Sequence, residues 1–281
     1  MRVDLHTHSS RSDGVLAPAE LVRMARAVGL DALALTDHDS LAGLEEARQV
    51  GAEEGVEVIA GVELSVRNQG SDEHLLGFFV DPTAAELVAY LDELQTSRQR
   101  MAEETLAALE RLGAPVDVQR VAELARGAVV TRPHIARALV EAGHVSSEQE
   151  AFDRYLGSGK PAAIPRPSPD PARAIHLVRA AGGVAALAHP VFRQDAGWQD
   201  RLASTPERLD RLQAAGLQAV ECFYPDATPE ISQQLVAWSR ERGLLAIAGT
   251  DYHGPDKAPF AALGTLSTDE DVLTALRALA A

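Results

Sequence analysis

Histidine and carboxylate side chains recur along this chain at the ends of short apolar runs. His6 and His8 end DLHTH, Asp37, His38 and Asp39 end ALTDHD, and Glu63 nearly ends AGVELS. His189 follows in ALAHP, and Asp251 with His253 in GTDYHG. Imidazole and carboxylate without thiolate are the donors that Mn²⁺, Fe²⁺ or Zn²⁺ take in hydrolytic centres. Residues i and i+2 of a strand face the same way, so His6 with His8, and Asp251 with His253, could each turn two ligands to one side. A lone histidine after a strand is more often a satisfied polar group, but two such pairs together with Glu63 favour a metal centre.

Other residues stay open on pattern alone. Asp37 and Asp39 are weaker, because Asp39 or Ser40 could simply cap the helix of SLAGLEEARQVG. His74 begins an apolar stretch, DEHLLGFFV, instead of ending one, and His134 lies near a helix start in TRPHIARAL. Asp13 precedes Gly14, an ordinary turn pair. His144 and His176 have no partner motif and read as structural or surface residues. Cys222 reads as a small buried residue.

The elements that must position these groups are legible as alternation. RVDLH, DALALTDHD, VEVIAGVELS, GGVAALAHP, LQAVECFYP and LLAIAGTDYHG have strand length and nearly continuous apolar character, as in parallel strands covered on both faces. Helical patterns fall between them: PAELVRMARAVGL closes at Gly29, PARAIHLVRAAGG at Gly182, and TPEISQQLVAWSRERG starts at a Thr228 cap and Pro229. Strand, helix, strand in repetition is the α/β pattern, whose strand ends share one rim. From Thr83, which with Glu86 could form a capping box, the pattern turns wholly helical to about Leu156. The expected organisation is a barrel in two parts, residues 1–82 and 161–281, around a mainly helical insertion at 83–160 that ends in the loop GSGKPAAIPRPSPDP.

Composition limits the partners. At 281 residues and 46% hydrophobic content the chain can bury a large core, and its formal charge of -15 argues against a broad grip on DNA or RNA phosphates. An anionic substrate would need local positive charge, from metal ions or from Arg132, Lys160 and Arg166. One cysteine allows no internal disulfide. No apolar run approaches the ~20 residues that span a bilayer, and no leader pattern opens the chain, so a cytoplasmic protein is expected. The GSGK run lacks the spacing of a phosphate-binding P-loop.

Taken in order, DLHTHSSRSDG, LTDHDS, GVELS, AHP and GTDYHG resemble the successive motifs of the PHP (polymerase and histidinol phosphatase) family of metal-dependent phosphoesterases, from the first strand to the last. TRPHIA and GKPAAIPRPSP, with the helical insertion, are similar to nucleoside 3',5'-bisphosphate phosphatases and their short-RNA 5'-3' exonuclease relatives. The resemblance implies a distorted (βα)7 barrel with two or three divalent ions, Mn²⁺ first and Fe²⁺ or Zn²⁺ as alternatives. It implies that His6, His8, Glu63 and Asp251 hold one ion, with Glu63 bridging to a second completed by His74 and His134. His38, His253 and Asp13 would hold a third, Asp13 standing where many relatives have a histidine. Asp251 and His189 would be catalytic, and His189, Arg132, Arg166 and Lys160 would meet the substrate phosphate.

The expected function is removal of the 3'-phosphate from a nucleoside 3',5'-bisphosphate, a small anionic nucleotide. The alternatives are a 5'-3' phosphodiesterase on short RNA, a histidinol phosphate phosphatase, and a metal-stabilised regulatory module without catalysis.

Overall fold

A computed structural model of the chain describes residues 1–68, 71–125, 130–157, 159–164, 169–193, 197–255 and 262–280. Among these residues seven strands form one sheet in chain order: β1 Val3–Thr7, β2 Ala32–Leu35, β3 Glu57–Asn68, β4 Ser71–Phe78, β5 Val184–Leu187, β6 Ala219–Phe223 and β7 Leu245–Ala248. Beyond β7, Tyr252 bridges to Thr7 and brings the last strand's exit back to the first, so the sheet curls into a nearly closed barrel. Helices α1 Pro18–Ala27 and α2 Leu44–Glu54 alternate with the first strands. After β4 come α3 Ala85–Arg111, α4 Val118–Ala125, α5 Arg132–Glu141 and α6 Glu148–Ala151, the last running into a π-helical turn, Phe152–Leu156. Then α7 Pro171–Ala180, α8 Trp198–Ala203, α9 Thr205–Ala214, α10 Pro229–Glu241 and α11 Glu270–Leu279 accompany the remaining strands. This is the distorted (βα)7 barrel. No helix among the described residues is long and apolar enough to cross a membrane.

One strand departs from the parallel pattern. β4 runs antiparallel to both β3 and β5, whereas the other neighbours are parallel. It is absent from the six runs read from sequence because His74 precedes its apolar residues. Direction explains the order: the start of an antiparallel strand lies at the rim where its parallel neighbours end. His74 pairs with Ser65, near the end of β3, and its carbonyl accepts from Ala188 N–H just past β5.

Alternation then sorts the side chains. Ile59 of β3, Leu76 and Phe78 of β4, Ala186 of β5, Ala219 of β6 and Ile247 of β7 fill the barrel interior, with Leu273 and Leu276 of α11 packed against them. Counting by twos from these residues carries Glu63, His74 and Glu221 to the interior side. β1 breaks the count. Val3 and Leu5 belong to the interior cluster, so plain alternation would turn His6 and His8 outward. The β1–β2 ladder shifts register between Asp4 and Thr7, and such an irregularity re-aims the side chains beyond it.

The 27-residue α3 joins two apolar clusters. Leu87, Tyr90, Leu91 and Leu94 pack on the barrel's outer face, while Ala102, Ala108 and Leu109 pack with Val121, Ile135, Leu139 and Leu156. Between them Arg98 donates from Nε to Asp39 Oδ2 at 2.7 Å and from its terminal nitrogen to Ser65 Oγ at 2.8 Å. Asp39 is therefore not a helix cap: α2 is capped at Gly43, and Asp39, at φ 49°, takes the Arg98 guanidinium and Ser65 N–H. Nor does Thr83 cap α3, which starts after Ala84; its N–H and hydroxyl both donate to Asp81 Oδ1. Thr228 does cap α10, accepting from Ile231 N–H.

Asp39 and Arg98 are both buried. Removing one partner strands a charge, at a cost of about 3–5 kcal/mol. Arg98→Ala should lose about 3 kcal/mol in urea unfolding, and a loss under 1 kcal/mol would show that the pair contributes little.

Candidate metal centre

Glu63 is the meeting point. Its carboxylate is fully buried, and its two oxygens face different histidines. Oε2 stands 3.3 Å from His6 Nε2, 3.1 Å from His8 Nε2 and 3.1 Å from His38 Nδ1. Oε1 stands 2.9 Å from His74 Nδ1 and 3.0 Å from His189 Nε2. Asp251 Oδ1 completes the first side at 3.3 Å from both His6 Nε2 and His8 Nε2.

These spacings fit ligands of a shared cation. Donors bound tetrahedrally at about 2.0–2.2 Å from one ion stand roughly 3.3–3.6 Å apart. His6 Nε2, His8 Nε2, His38 Nδ1 and Glu63 Oε2 are buried with no hydrogen-bond partner, although buried polar atoms normally have one. Among the described residues, three groups have donor atoms close enough for one ion: His6, His8, Glu63 and Asp251; His38, Glu63 and His74; and His8, Asp13, His38 and His253.

The third group is built around Asp13. Asp13 Oδ1 lies 3.2 Å from His253 Nε2, and Oδ2 lies 3.8 Å from His38 Nε2. The turn carrying it is pinned to β2's exit by Asp37, which accepts from Ser9 N–H, Ser9 Oγ and Ser12 Oγ. Gly14 lets that turn close: a Cβ there would fall 2.4 Å from the His8 carbonyl oxygen. Asp251 and His253, expected on a strand, lie past the end of β7. With Asp251 at φ 48° their side chains go to different groups, Asp251 to the first and His253 to the third. Asp39, His189 and Asp251 all have positive φ, a strain of about 1–3 kcal/mol each for such residues.

The resemblance placed His134 in the second group, and the structure does not bring it there. His134 Nδ1 accepts from Thr131 N–H at 3.1 Å, so the neutral ring carries its proton on Nε2 and presents a donor, not a lone pair. With Asp13, Ser10, Ser12 and Arg137 it lines a cavity of about 190 Å³. His189 instead closes on Glu63 and His74, with its Nε2 3.3 Å from His74 Nδ1.

Among the expected phosphate contacts, Arg132 opens α5 with its guanidinium 3.9 Å from Asp72, and Lys160 is exposed. Arg166 lies outside the described residues. His144 Nε2 meets the Pro115 carbonyl, and His176 is exposed on α7. Burial pushes the Cys222 thiol up to about 12, which suits no nucleophile.

Sequence reading missed two buried carboxylates. Asp4 accepts from Thr250 N–H, Thr250 Oγ1 and Gly264 N–H, tying β1 to the segment that carries Asp251; burial pushes its pKa up to about 6. Glu221 accepts at both His6 and His189. A charged residue inside AVECF was the available signal, since alternation from Ala219 turns it inward.

The electrostatics suit cations. Burial works against a charged His8, yet Asp251 and Glu63 outweigh it and raise its pKa to about 10. His6 is raised likewise against burial by Glu221, Asp251 and Glu63. Burial pushes the His38 pKa down to about 3, so the neutral ring offers one nitrogen lone pair to a cation. Burial would raise Glu63, but His38, His74 and His6 hold it well below the carboxylate range.

A family model, the PHP domain, matches residues 4–156, more than half of the chain. The chain belongs to the PHP family. Relatives of this PHP protein include a Haemophilus influenzae 5'-3' exoribonuclease, 38% identical over 255 residues that cover 90% of each chain. A Chromobacterium violaceum 3',5'-nucleoside bisphosphate phosphatase is 33% identical over 262 residues, 90% of this chain and 87% of that one. A crystal structure from Bifidobacterium adolescentis, described as a metal-dependent phosphoesterase, superposes with a TM-score of 0.87 at 30% identity, covering 99% of this chain and 96% of that one.

Two outcomes follow. His6 and His8 hold protons near neutrality without metal, so divalent cations must displace them: affinity should rise from pH 6 to 8, with proton release visible as buffer-dependent heat in calorimetry. A pH-independent isotherm would contradict that exchange. Asp13→Ala should bind one ion fewer by elemental analysis while the other groups stay loaded.

Proposed function

We propose that this metal-dependent phosphoesterase of the PHP family removes the 3'-phosphate of nucleoside 3',5'-bisphosphates, yielding a nucleoside 5'-monophosphate and phosphate. The observation that carries the reading is the convergence of two ligand groups on the two oxygens of Glu63 at one end of the barrel, with a third group beside them that shares His8 and His38. Held by these groups, divalent ions, Mn²⁺ first, supply charge neutralisation at phosphoryl oxygens and make water acidic enough to ionise near neutral pH.

The chain's own residues do the rest. His6, His8, Glu63 and Asp251 serve as the first ligand set, and Glu63, His74 and His189 as the second. His38, Asp13 and His253 serve as the third. His189 is thus read as a ligand instead of the phosphate-facing group that sequence suggested. His134 takes the other role: its Nε2–H, on the wall shared with Asp13, can donate to a phosphoryl or leaving oxygen. Arg132, whose 3.9 Å approach to Asp72 is loose, can turn its planar fork to a phosphate, and Lys160 adds positive charge; Arg166 keeps the phosphate-binding role that the family resemblance gives it. Helices α4 and α5, supplying Glu123, Arg137 and His134 to that wall, would roof the pocket and select the substrate.

Kinship with the bisphosphate phosphatase supports a mononucleotide, as does a net charge of -15, which disfavours long polyanions. A second reading, 5'-3' hydrolysis of short RNA, is favoured by the 38% identity to an exoribonuclease. Phosphate release from adenosine 3',5'-bisphosphate with Mn²⁺ should exceed nucleotide release from a 5'-phosphorylated tetranucleotide at equal concentration. The reverse order would assign the nuclease activity. Release from neither would remove both readings. His8→Ala should lower turnover by ~100-fold or more in the true assay.

A further inference from the structure

Glu221 is a fully buried carboxylate on β6 that lies outside the three ligand groups. Its Oε1 stands 3.0 Å from His6 Nδ1, and its Oε2 accepts the backbone N–H of His189 at 2.7 Å. Among the described residues its ion-pair partner is His6 and no arginine or lysine. A buried carboxylate needs compensation, and this one finds it only in groups that belong to the metal centre.

We propose that Glu221 is a positioning residue that binds the first ligand group to the second, one carboxylate oxygen orienting His6 and the other holding the strand end that presents His189. The reading rests on the ligand groups described above and adds a residue to them.

Three observations carry it. A carboxylate only accepts, so a proton stays on His6 Nδ1 in the first contact, and the proton that a cation displaces is the one on Nε2, whose lone pair is then turned to the ligand group. That Nε2 is a buried atom without a hydrogen-bond partner, 3.3 Å from Glu63 Oε2 and from Asp251 Oδ1. Second, His189 has φ 21°, a conformation that persists only where its surroundings impose it. The Glu221 acceptor fixes that backbone, and the ring then reaches Glu63 Oε1 at 3.0 Å. Third, the space for Glu221 is reserved by a glycine. A Cβ on Gly249 would come within 2.4 Å of His6 Cβ and 2.6 Å of Glu221 Oε1.

Carboxylates behind metal-bound histidines fix ring orientation, and their loss costs roughly 10–100-fold in metal affinity. Glu221→Gln keeps the shape but exchanges one acceptor for a donor, so the His6 and His189 contacts can both survive only if His6 moves its proton to Nε2, which removes the lone pair a cation needs. Titrating metal-free protein with Mn²⁺ in a calorimeter, with circular dichroism as a check on folding, should show affinity reduced roughly 10–100-fold in an otherwise folded variant. Gly249→Ala, which crowds His6 and the Glu221 carboxylate while leaving the chemistry of Glu221 unaltered, should weaken binding in the same direction and decides the matter if Glu221→Gln does not fold. A merely structural Glu221 would lower thermal stability and leave the isotherm unchanged. Wild-type isotherms in the folded variants would overturn the role of Glu221 while leaving the ligand groups standing. No Mn²⁺ binding by the unaltered protein would overturn both.

Discussion

One buried carboxylate organises this molecule. Glu63 sits in the barrel with five imidazoles within 3.3 Å, three on one oxygen and two on the other. Such a group is tolerable in a low-dielectric interior only when positive charge faces it, and protons on histidine or divalent cations are the two sources at hand. Because both oxygens are engaged, neither half of the site can move without the other. The strained backbones of Asp39, His189 and Asp251 surround this centre, and the rest of the barrel has to hold them.

The fold meets that demand through two irregularities. A barrel of seven parallel strands would place every ligand after an apolar run. Reversing β4 lets His74 come before one and still reach the same rim. Regular pleating of β1 would face His6 and His8 outward, and the register shift after Asp4 turns both in together. Local departures from the ideal barrel therefore fall where the chemistry is.

Around the centre lies a shell of hydrogen bonds that joins distant segments. Asp37 holds the turn of Ser9 and Ser12, and Asp4 holds Thr250 and Gly264. Asp39 holds Arg98 of α3, so the helical region after β4 is tied by a buried ion pair to the loop next to His38. The acidic chain thus spends several carboxylates on structure within its own interior, which places the helices that line the wall beside Asp13.

Sequence order and residue type were enough for the alternation of strands and helices, the common rim, and the pairing of His6 with His8, because period-two and period-3.6 patterns are local properties of the chain. They also sufficed for Glu63, Asp251, His38 and His253 as a set, since motifs ending consecutive strands must converge in a barrel. Chain pattern could not decide which histidines share an ion. His74 needed the direction of β4, and that depends on hydrogen bonds to β3 and β5 instead of on its own composition. The different surroundings of His134 and His189 are likewise facts of tertiary structure: Thr131 N–H occupies one ring nitrogen of His134, and His189 is folded back onto Glu63. The charge inside AVECF signalled only that Glu221 turns inward, and neither its contacts nor those of Asp4 were legible, because a carboxylate inside an apolar strand acquires meaning only from the N–H groups brought to it across the barrel. Patterns along a chain specify elements and their faces; partners 100 or more residues apart are chosen only when those faces close on one another.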